Sequence, residues 1–192
     1  QMKKTNLGFA MCGSFCTFSK IPPVMRELKN SGYNIIPIMT PNAYYTDTRF
    51  GNARDINIEI ENICENKILK TITDVEPIGP KKMLDILVIA PCTGNTIGKL
   101  ANGIYDTSVT LAAKSHMRNK RPVLIAVSTN DALSTTAMNF GKLMNSKNMY
   151  FVPFSQDDYE KKPNSLVADF ESIPNSVELA LKGIQPQPII KG

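Results

Sequence analysis

Short uninterrupted apolar runs alternate along this chain with stretches whose apolar residues recur at helical spacing. Leu7-Gly8-Phe9-Ala10-Met11 is apolar throughout and predicts a buried strand. Pro22 and Pro23 suit the first turn of a helix, where a missing backbone N–H costs nothing. Val24, Met25 and Leu28 form that helix's buried stripe, and Gly32 suits its C-terminal end. Residues 34–39 predict a second strand; Pro37, unable to donate to a ladder, favours an edge or bulged position. Residues 40–57 are polar and read as a long functional loop with one helical turn. Ile56, Ile60, Ile63 and Cys64 mark the apolar face of a helix, 68–72 a short strand, and 77–80 a turn or linker. Residues 84–90 are the clearest strand, stopping at Pro91, and the loop 92–96 feeds a helix holding Ile97 and Leu100. A helix is predicted over 107–118, a strand over 122–127 and a polar loop over 128–136. Phe140, Leu143 and Met144 mark another helix, 149–152 a last strand, and 173–181 a terminal helix.

Near-continuous apolar strands alternating with helices predict a parallel sheet covered on both faces. The expected architecture is a single doubly wound, Rossmann-like α/β domain over residues 2–192, with 155–192 as a C-terminal extension packing on or beside it. Gln1 ahead of Met2 is set aside as a non-native remnant. A chain of 192 residues, 42% hydrophobic and 20% charged, can bury a sizeable core as one domain. No apolar run approaches the roughly 18 residues of a membrane span, and the start is too short in apolar residues for a signal peptide. A cytoplasmic protein is expected.

Net charge is +5, which suits an anionic ligand or partner. The basic residues are scattered, which argues against nucleic acid; Arg118, Lys120 and Arg121 share one turn and read as a solvated loop. The four cysteines (Cys12, Cys16, Cys64, Cys92) form no Cys-x-x-Cys pair, and His116 is the only histidine, so no metal site is predicted. Cys12, Cys16 and Cys92 read as small packed side chains beside loops. His116 falls on the last turn of its helix and reads as a surface or helix-end residue rather than a base.

In an open α/β sheet, ligands bind beyond the carboxyl ends of the strands. Four such ends carry small or hydroxylated residues here: Gly13-Ser14, Thr40, Pro91-Cys92-Thr93-Gly94-Asn95-Thr96 and Ser128-Thr129-Asn130. Backbone N–H groups at a loop-to-helix junction, helped by hydroxyls, make a phosphate cradle. Neither a dinucleotide fingerprint nor a P-loop lysine is present, so a mononucleotide is the better match. Arg49 and Arg54, in the polar loop, are candidates to bind substrate carboxylates bidentately, although exposed loop arginines are common. Asp157 and Asp158 read as an acidic turn rather than an acid/base pair.

Ala90-Pro91-Cys92-Thr93-Gly94-Asn95-Thr96 resembles the Pro-Ala-Ser-Ala-Asn-Thr loop of the flavin-binding superfamily that includes cysteine-peptide decarboxylases. Ala101-Asn102-Gly103-Ile104-Tyr105-Asp106-Thr107 is similar to the Ala-x-Gly-Ile-x-Asp segment that follows there, and Ala137-Met138-Asn139 to its Pro-x-Met-Asn segment. The stretches 112–119 and 156–168 resemble more narrowly the family of dipicolinate synthase B subunits. The resemblance implies a flavoprotein-type fold and FMN as cofactor. It places Gly13 and Ser14 at the flavin phosphate with Thr40 beside them. Pro91, Cys92, Thr93, Asn95 and Thr96 fall along the ribityl chain or ring, and Asp106 and Met138 nearer the isoalloxazine or a neighbouring protomer. It further implies a homo-oligomer and, as partner, the dipicolinate synthase A subunit, which brings NADPH or NADP. The implied reaction converts a dihydrodipicolinate-level dicarboxylate to dipicolinate in the mother cell of a sporulating bacterium.

The chain departs from the decarboxylase pattern. The histidine those enzymes use after the second strand is missing, and Tyr44, Tyr45 and Asp47 occupy that stretch. Cys92 stands where Ala is usual, and Gly94 replaces a second Ala. An FMN-dependent decarboxylase of a cysteinyl substrate is therefore the weaker reading. A non-catalytic partner with little or no flavin is the other alternative.

Overall fold

The computed structural model describes residues 4–192; the reading of Gln1 and the opening Met2-Lys3 lie outside the described residues. In chain order the first half holds β1 (Asn6–Met11), α1 (Ile21–Asn30), β2 (Asn34–Met39), α2 (Pro41–Tyr45), α3 (Ala53–Cys64), α4 (Ile72–Val75) and β3 (Ile86–Cys92). The second half holds α5 (Gly94–Ala101), α6 (Ser108–Met117), β4 (Val123–Thr129), α7 (Ala137–Met144), β5 (Met149–Phe151), β6 (Phe154–Ser155), β7 (Leu166–Ala168) and α8 (Ile173–Leu181).

Side chains of a strand alternate between its two faces, so each apolar strand feeds two cores. Leu7, Phe9 and Met11 of β1 enter one core with Met25 and Leu28 of α1, Ile60 of α3 and Val177 of α8. Ala10 turns to the other, with Ile89 of β3, Ile97 of α5, Val109 of α6 and Phe140 of α7. Both layers are needed because every β3 residue is buried; full burial of a Val, Leu or Ile side chain contributes roughly 1.5–3 kcal/mol.

Five parallel strands run in the spatial order β2-β1-β3-β4-β5. The antiparallel pair β7 and β6 continues the sheet from the C-terminal half of β4, at Ser128 and Thr129. The chain leaves β1 to one side for β2 and to the other for β3. That makes the gap above β1 and β3 a topological switch point, where loops diverge and leave a crevice. This is the doubly wound, mostly parallel α/β domain that the residue pattern predicts.

Pro37 sits on the outermost parallel strand, as its missing N–H requires. The predicted strand over 68–72 reduces to one bridge, in which Leu69 N–H donates to Pro37 O at 2.9 Å and Met39 N–H to Leu69 O at 2.9 Å. Thr71 and Asp74 instead form a capping box that winds the next residues into α4. The predicted strand over 84–90 is displaced to 86–92, so Pro91 and Cys92 belong to the strand and not to the loop after it. A register irregularity against β4 between Ile89 and Cys92 accommodates the proline. β5 is not the last strand, because β6 and β7 follow with two and three residues, too short for periodicity to register. The polar stretch 40–57 is not one loop either: it contains α2 and the start of α3. Gly32, with φ +92°, supplies the left-handed residue just past α1 that a Cβ would strain. Among the described residues no helix is long and apolar enough to cross a membrane.

His116 does lie on the last turn of α6, but it is fully buried, which overturns its reading as a surface residue. Its Nε2 bonds to Pro122 O at 2.9 Å, and its Nδ1 is buried without a partner among the described residues. Burial, with Arg121 adding to it, lowers its pKa to about 4 against the opposing pull of the Pro122 carbonyl and Asp85.

Candidate functional site

A cleft of about 330 Å³ opens at the switch point, within the size range of small-molecule sites. Its floor is Cys12 and Gly13 after β1; one wall is Thr40, Pro41 and Asn42 at the start of α2, and the other is Thr93, Asn95, Thr96 and Lys99 of α5, with Thr107 closing one end. Each wall starts a helix for a local reason. Thr40 accepts from Ala43 N–H at 3.2 Å and caps α2, with Pro41 in its first turn. Thr93 caps α5 through Thr96 N–H at 3.5 Å. Both hydroxyls thus organise the helix starts that face the cleft.

Gly13, Thr40, Thr93, Asn95 and Thr96 are therefore brought together as the sequence predicts. The remaining predicted residues lie elsewhere. Ser14 shares a 2.7 Å hydroxyl bond with Ser128, tying the loop after β1 to the end of β4 across β3. Pro91 and Cys92 are buried within β3, beneath the cleft, and Pro91 O accepts from Cys12 N–H at 3.1 Å. Asp106 is exposed and paired with Lys99 Nζ at 2.7 Å, which holds its carboxyl below the ordinary aspartate range. Met138 is 82% exposed on the first turn of α7. Arg54 lines a separate cleft behind α2, beside Tyr44, Tyr45 and Asp47. Arg49 stands over the Phe50 ring at 4.8 Å. Tyr44 is held by Lys70, whose Nζ donates to its hydroxyl at 2.8 Å.

Sequence reasoning missed five lining residues: Cys12, Pro41, Asn42, Lys99 and Thr107. Lys99 was recoverable, since it stands four residues after Asn95 and so on the same face of α5.

Cys12 is a buried, packed side chain, as expected, and it also hydrogen-bonds at the cleft. It lines the floor, and its Sγ lies 3.2 Å from Thr96 Oγ1. Hydrogen bonding from Cys92 holds its thiol below the usual range, with Thr96 adding to this, while burial opposes it. Burial pushes Cys92 upward, and Cys64 to about 12. Cys16 alone among the four is exposed. Thiol titration of the native protein is therefore expected to show one rapid equivalent, from Cys16, with Cys12, Cys64 and Cys92 reacting only on unfolding. A second rapid equivalent abolished by Cys12→Ser would show that the cleft floor opens.

Comparison with known proteins follows the same outline. Residues 1–172 match the Flavoprotein family. The dipicolinate synthase B subunit of Bacillus subtilis (strain 168) is 44% identical over 189 residues, covering 98% of this chain and 94% of that protein. The crystal structure of the dipicolinate synthase B subunit from Bacillus halodurans superposes with a TM-score of 0.90 at 42% identity, covering 98% of this chain and 96% of that one. The FMN-dependent cysteine decarboxylase SpaF shares the fold at a TM-score of 0.68 and 22% identity, covering 93% and 95%. Sheet order, strand-end cleft and relatives over nearly the whole length agree: the chain belongs to the flavoprotein family, within its group of dipicolinate synthase B subunits.

Proposed function

We propose that this chain acts as the B subunit of dipicolinate synthase, binds FMN in the switch-point cleft, and works with the A subunit to form dipicolinate from a dihydrodipicolinate-level precursor. The observation that carries this reading is the lining of the cleft: hydroxyls, a carboxamide, the first turn of α5 and one ammonium group, with no carboxylate or imidazole among the described residues. That donor set suits a phosphorylated polyol. The start of α5 and the Lys99 charge favour an oxyanion, while Thr40, Thr93 and Asn95 offer hydroxyl and amide partners.

Aromatising a dihydropyridine ring removes two electrons and two protons, so an acceptor is required. FMN, when bound, would supply that two-electron acceptor, with NADP brought by the A subunit as the alternative acceptor for the same electron pair. This chain's residues would bind and orient the cofactor. Because the described lining offers no carboxylate or imidazole as a base, the proton acceptor is assigned to the A subunit or to solvent. The same feature disfavours decarboxylation of a cysteinyl substrate, since the one histidine is buried in α6, hydrogen-bonded to Pro122. It also keeps a binding protein without chemistry of its own as the second reading. The relatives' names support the A subunit as partner, and the exposure of Met138 suits a neighbouring copy in a homo-oligomer.

An absorbance spectrum of the untreated protein, an FMN titration, and then addition of the A subunit with substrate test this. Flavin bands or saturable FMN fluorescence quenching, with turnover only when both proteins are present, are expected. A colourless protein that leaves FMN fluorescence unchanged, yet still supports turnover by the A subunit, would replace the flavin reading with the second one.

A further inference from the structure

Among the described residues, Lys99 is the only charged one lining the cleft. Its ammonium group is largely shielded, with 23% of the side chain exposed, and its partner Asp106 is the more exposed member of the pair at 59%. Asp106 does not line the cleft. It sits just before α6, and its carboxylate reaches Lys99 Nζ at 2.7 Å. The arrangement is a single cation aimed along the wall of a neutral, hydroxyl-lined cleft, neutralised from outside by a solvent-facing carboxylate. A carboxylate in water is a replaceable partner, because such exposed pairs hold together weakly.

The geometry points to Lys99 as the residue that makes this cleft select an oxyanion ligand, with Asp106 as a positioning residue and resting counter-ion. This inference rests on the flavin reading and assigns the phosphate of FMN as the oxyanion. Lys99 stands on the last turn of α5, one turn beyond Asn95, so both line the same wall of the cleft. When the phosphate enters, the ammonium group exchanges Asp106 for the doubly charged ligand. Asp106 then competes with the ligand, so removing its charge strengthens phosphate binding.

Paired titrations with FMN and with riboflavin, which lacks the phosphate, test the assignment by fluorescence quenching in wild type, Lys99→Met, Lys99→Arg and Asp106→Asn. Lys99→Met is expected to weaken FMN about ten-fold and leave riboflavin unchanged, as loss of one charge-assisted partner predicts. Lys99→Arg should keep most of the preference for FMN, and Asp106→Asn should tighten FMN by about two- to five-fold with no gain for riboflavin. A purely structural ion pair predicts something else: both flavins weaken together in Lys99→Met, and Asp106→Asn tightens neither. That pattern, or an unchanged FMN affinity in Lys99→Met, overturns the inference while leaving the flavin reading intact. Failure of wild type to bind either flavin overturns both. Dipicolinate is titrated in parallel; weakening of dipicolinate alone in Lys99→Met reassigns the oxyanion to a substrate carboxylate and rejects the phosphate.

Discussion

Acidification is expected to cost the folded chain about 3 kcal/mol between pH ~7 and pH ~4 through His116 alone. The ring is neutral in the fold, bonded through Nε2 to Pro122 O, with Nδ1 buried and unpartnered among the described residues. Protonating Nδ1 would place a cation with no acceptor inside α6, beside Arg121. Burial therefore lowers the folded pKa from 6.5 to about 4. The sign follows from which state takes up the proton first. Above pH ~6.5 neither state is protonated and the contribution of neutral His116 is fully present. As pH falls the unfolded chain binds the proton and the folded chain does not, so stability declines until the folded pKa is reached. About 2 kcal/mol of this is gone by pH ~5. Asp74, Asp169 and Glu61 also have lowered pKa values, but their contributions are lost only as pH falls below the ordinary 3.8 or 4.5 of a free carboxylate. The interval from pH ~6.5 to ~5 thus reports His116. Urea unfolding at pH ~7.5, ~6 and ~5 should show the decline in wild type. In His116→Gln, whose amide can still donate to Pro122 O, the curve should be nearly flat over that interval. Equal slopes in the two proteins would mean that the imidazole reaches solvent or a partner as its charge forms.

The same histidine shows where sequence reading stops. Position on the last turn of a helix was legible from spacing, but burial there depends on how α6 packs in the folded chain, which no local pattern contains. Sheet membership followed a similar division. Parallel strands buried on both faces leave long apolar runs, so β1, β2, β3 and β4 could be read directly. β6 and β7 have two and three residues, and the pairing of β7 with Ser128 and Thr129 is a long-range event. The site was partly legible for the same reason. Gly13, Thr40, Thr93, Asn95 and Thr96 sit at strand ends, where topology alone converges on a switch point. Lys99 lies a turn further along α5, and its role depends on a cleft wall that only the packed helices define. Arg49 and Arg54 had the right chemistry in a plausible loop, but α2 and α3 wind through that loop and carry them away from the cleft.

Gly94→Ala is expected to destabilise the fold by about 1–3 kcal/mol and to weaken flavin binding roughly ten-fold, although it restores the residue usual in the resembled loop. Space, not backbone freedom, requires the glycine. A Cβ at this position would stand 2.7 Å from both Asp131 Oδ1 and Thr136 Oγ1 and 2.9 Å from Thr129 Oγ1. These three oxygens belong to the segment that leaves β4, and Thr129 donates its hydroxyl hydrogen bond to Asp131, so none is a free end of a long side chain. An added methyl must push either that segment or the start of α5. Moving α5 displaces Thr93, Asn95 and Thr96 together, because all three stand at its cap or within its first turn. The loss of stability and the loss of flavin affinity therefore have one cause. Thermal unfolding and FMN titration of Gly94→Ala measure them, and the double variant Gly94→Ala with Asp131→Ala identifies the cause. Removing the carboxylate makes room for the methyl, so the double variant should be more stable, and bind FMN more tightly, than the sum of the single changes predicts. Strict additivity, or a Gly94→Ala protein with wild-type stability and affinity, would show that the oxygens around Gly94 yield without moving the helix that shapes the cleft.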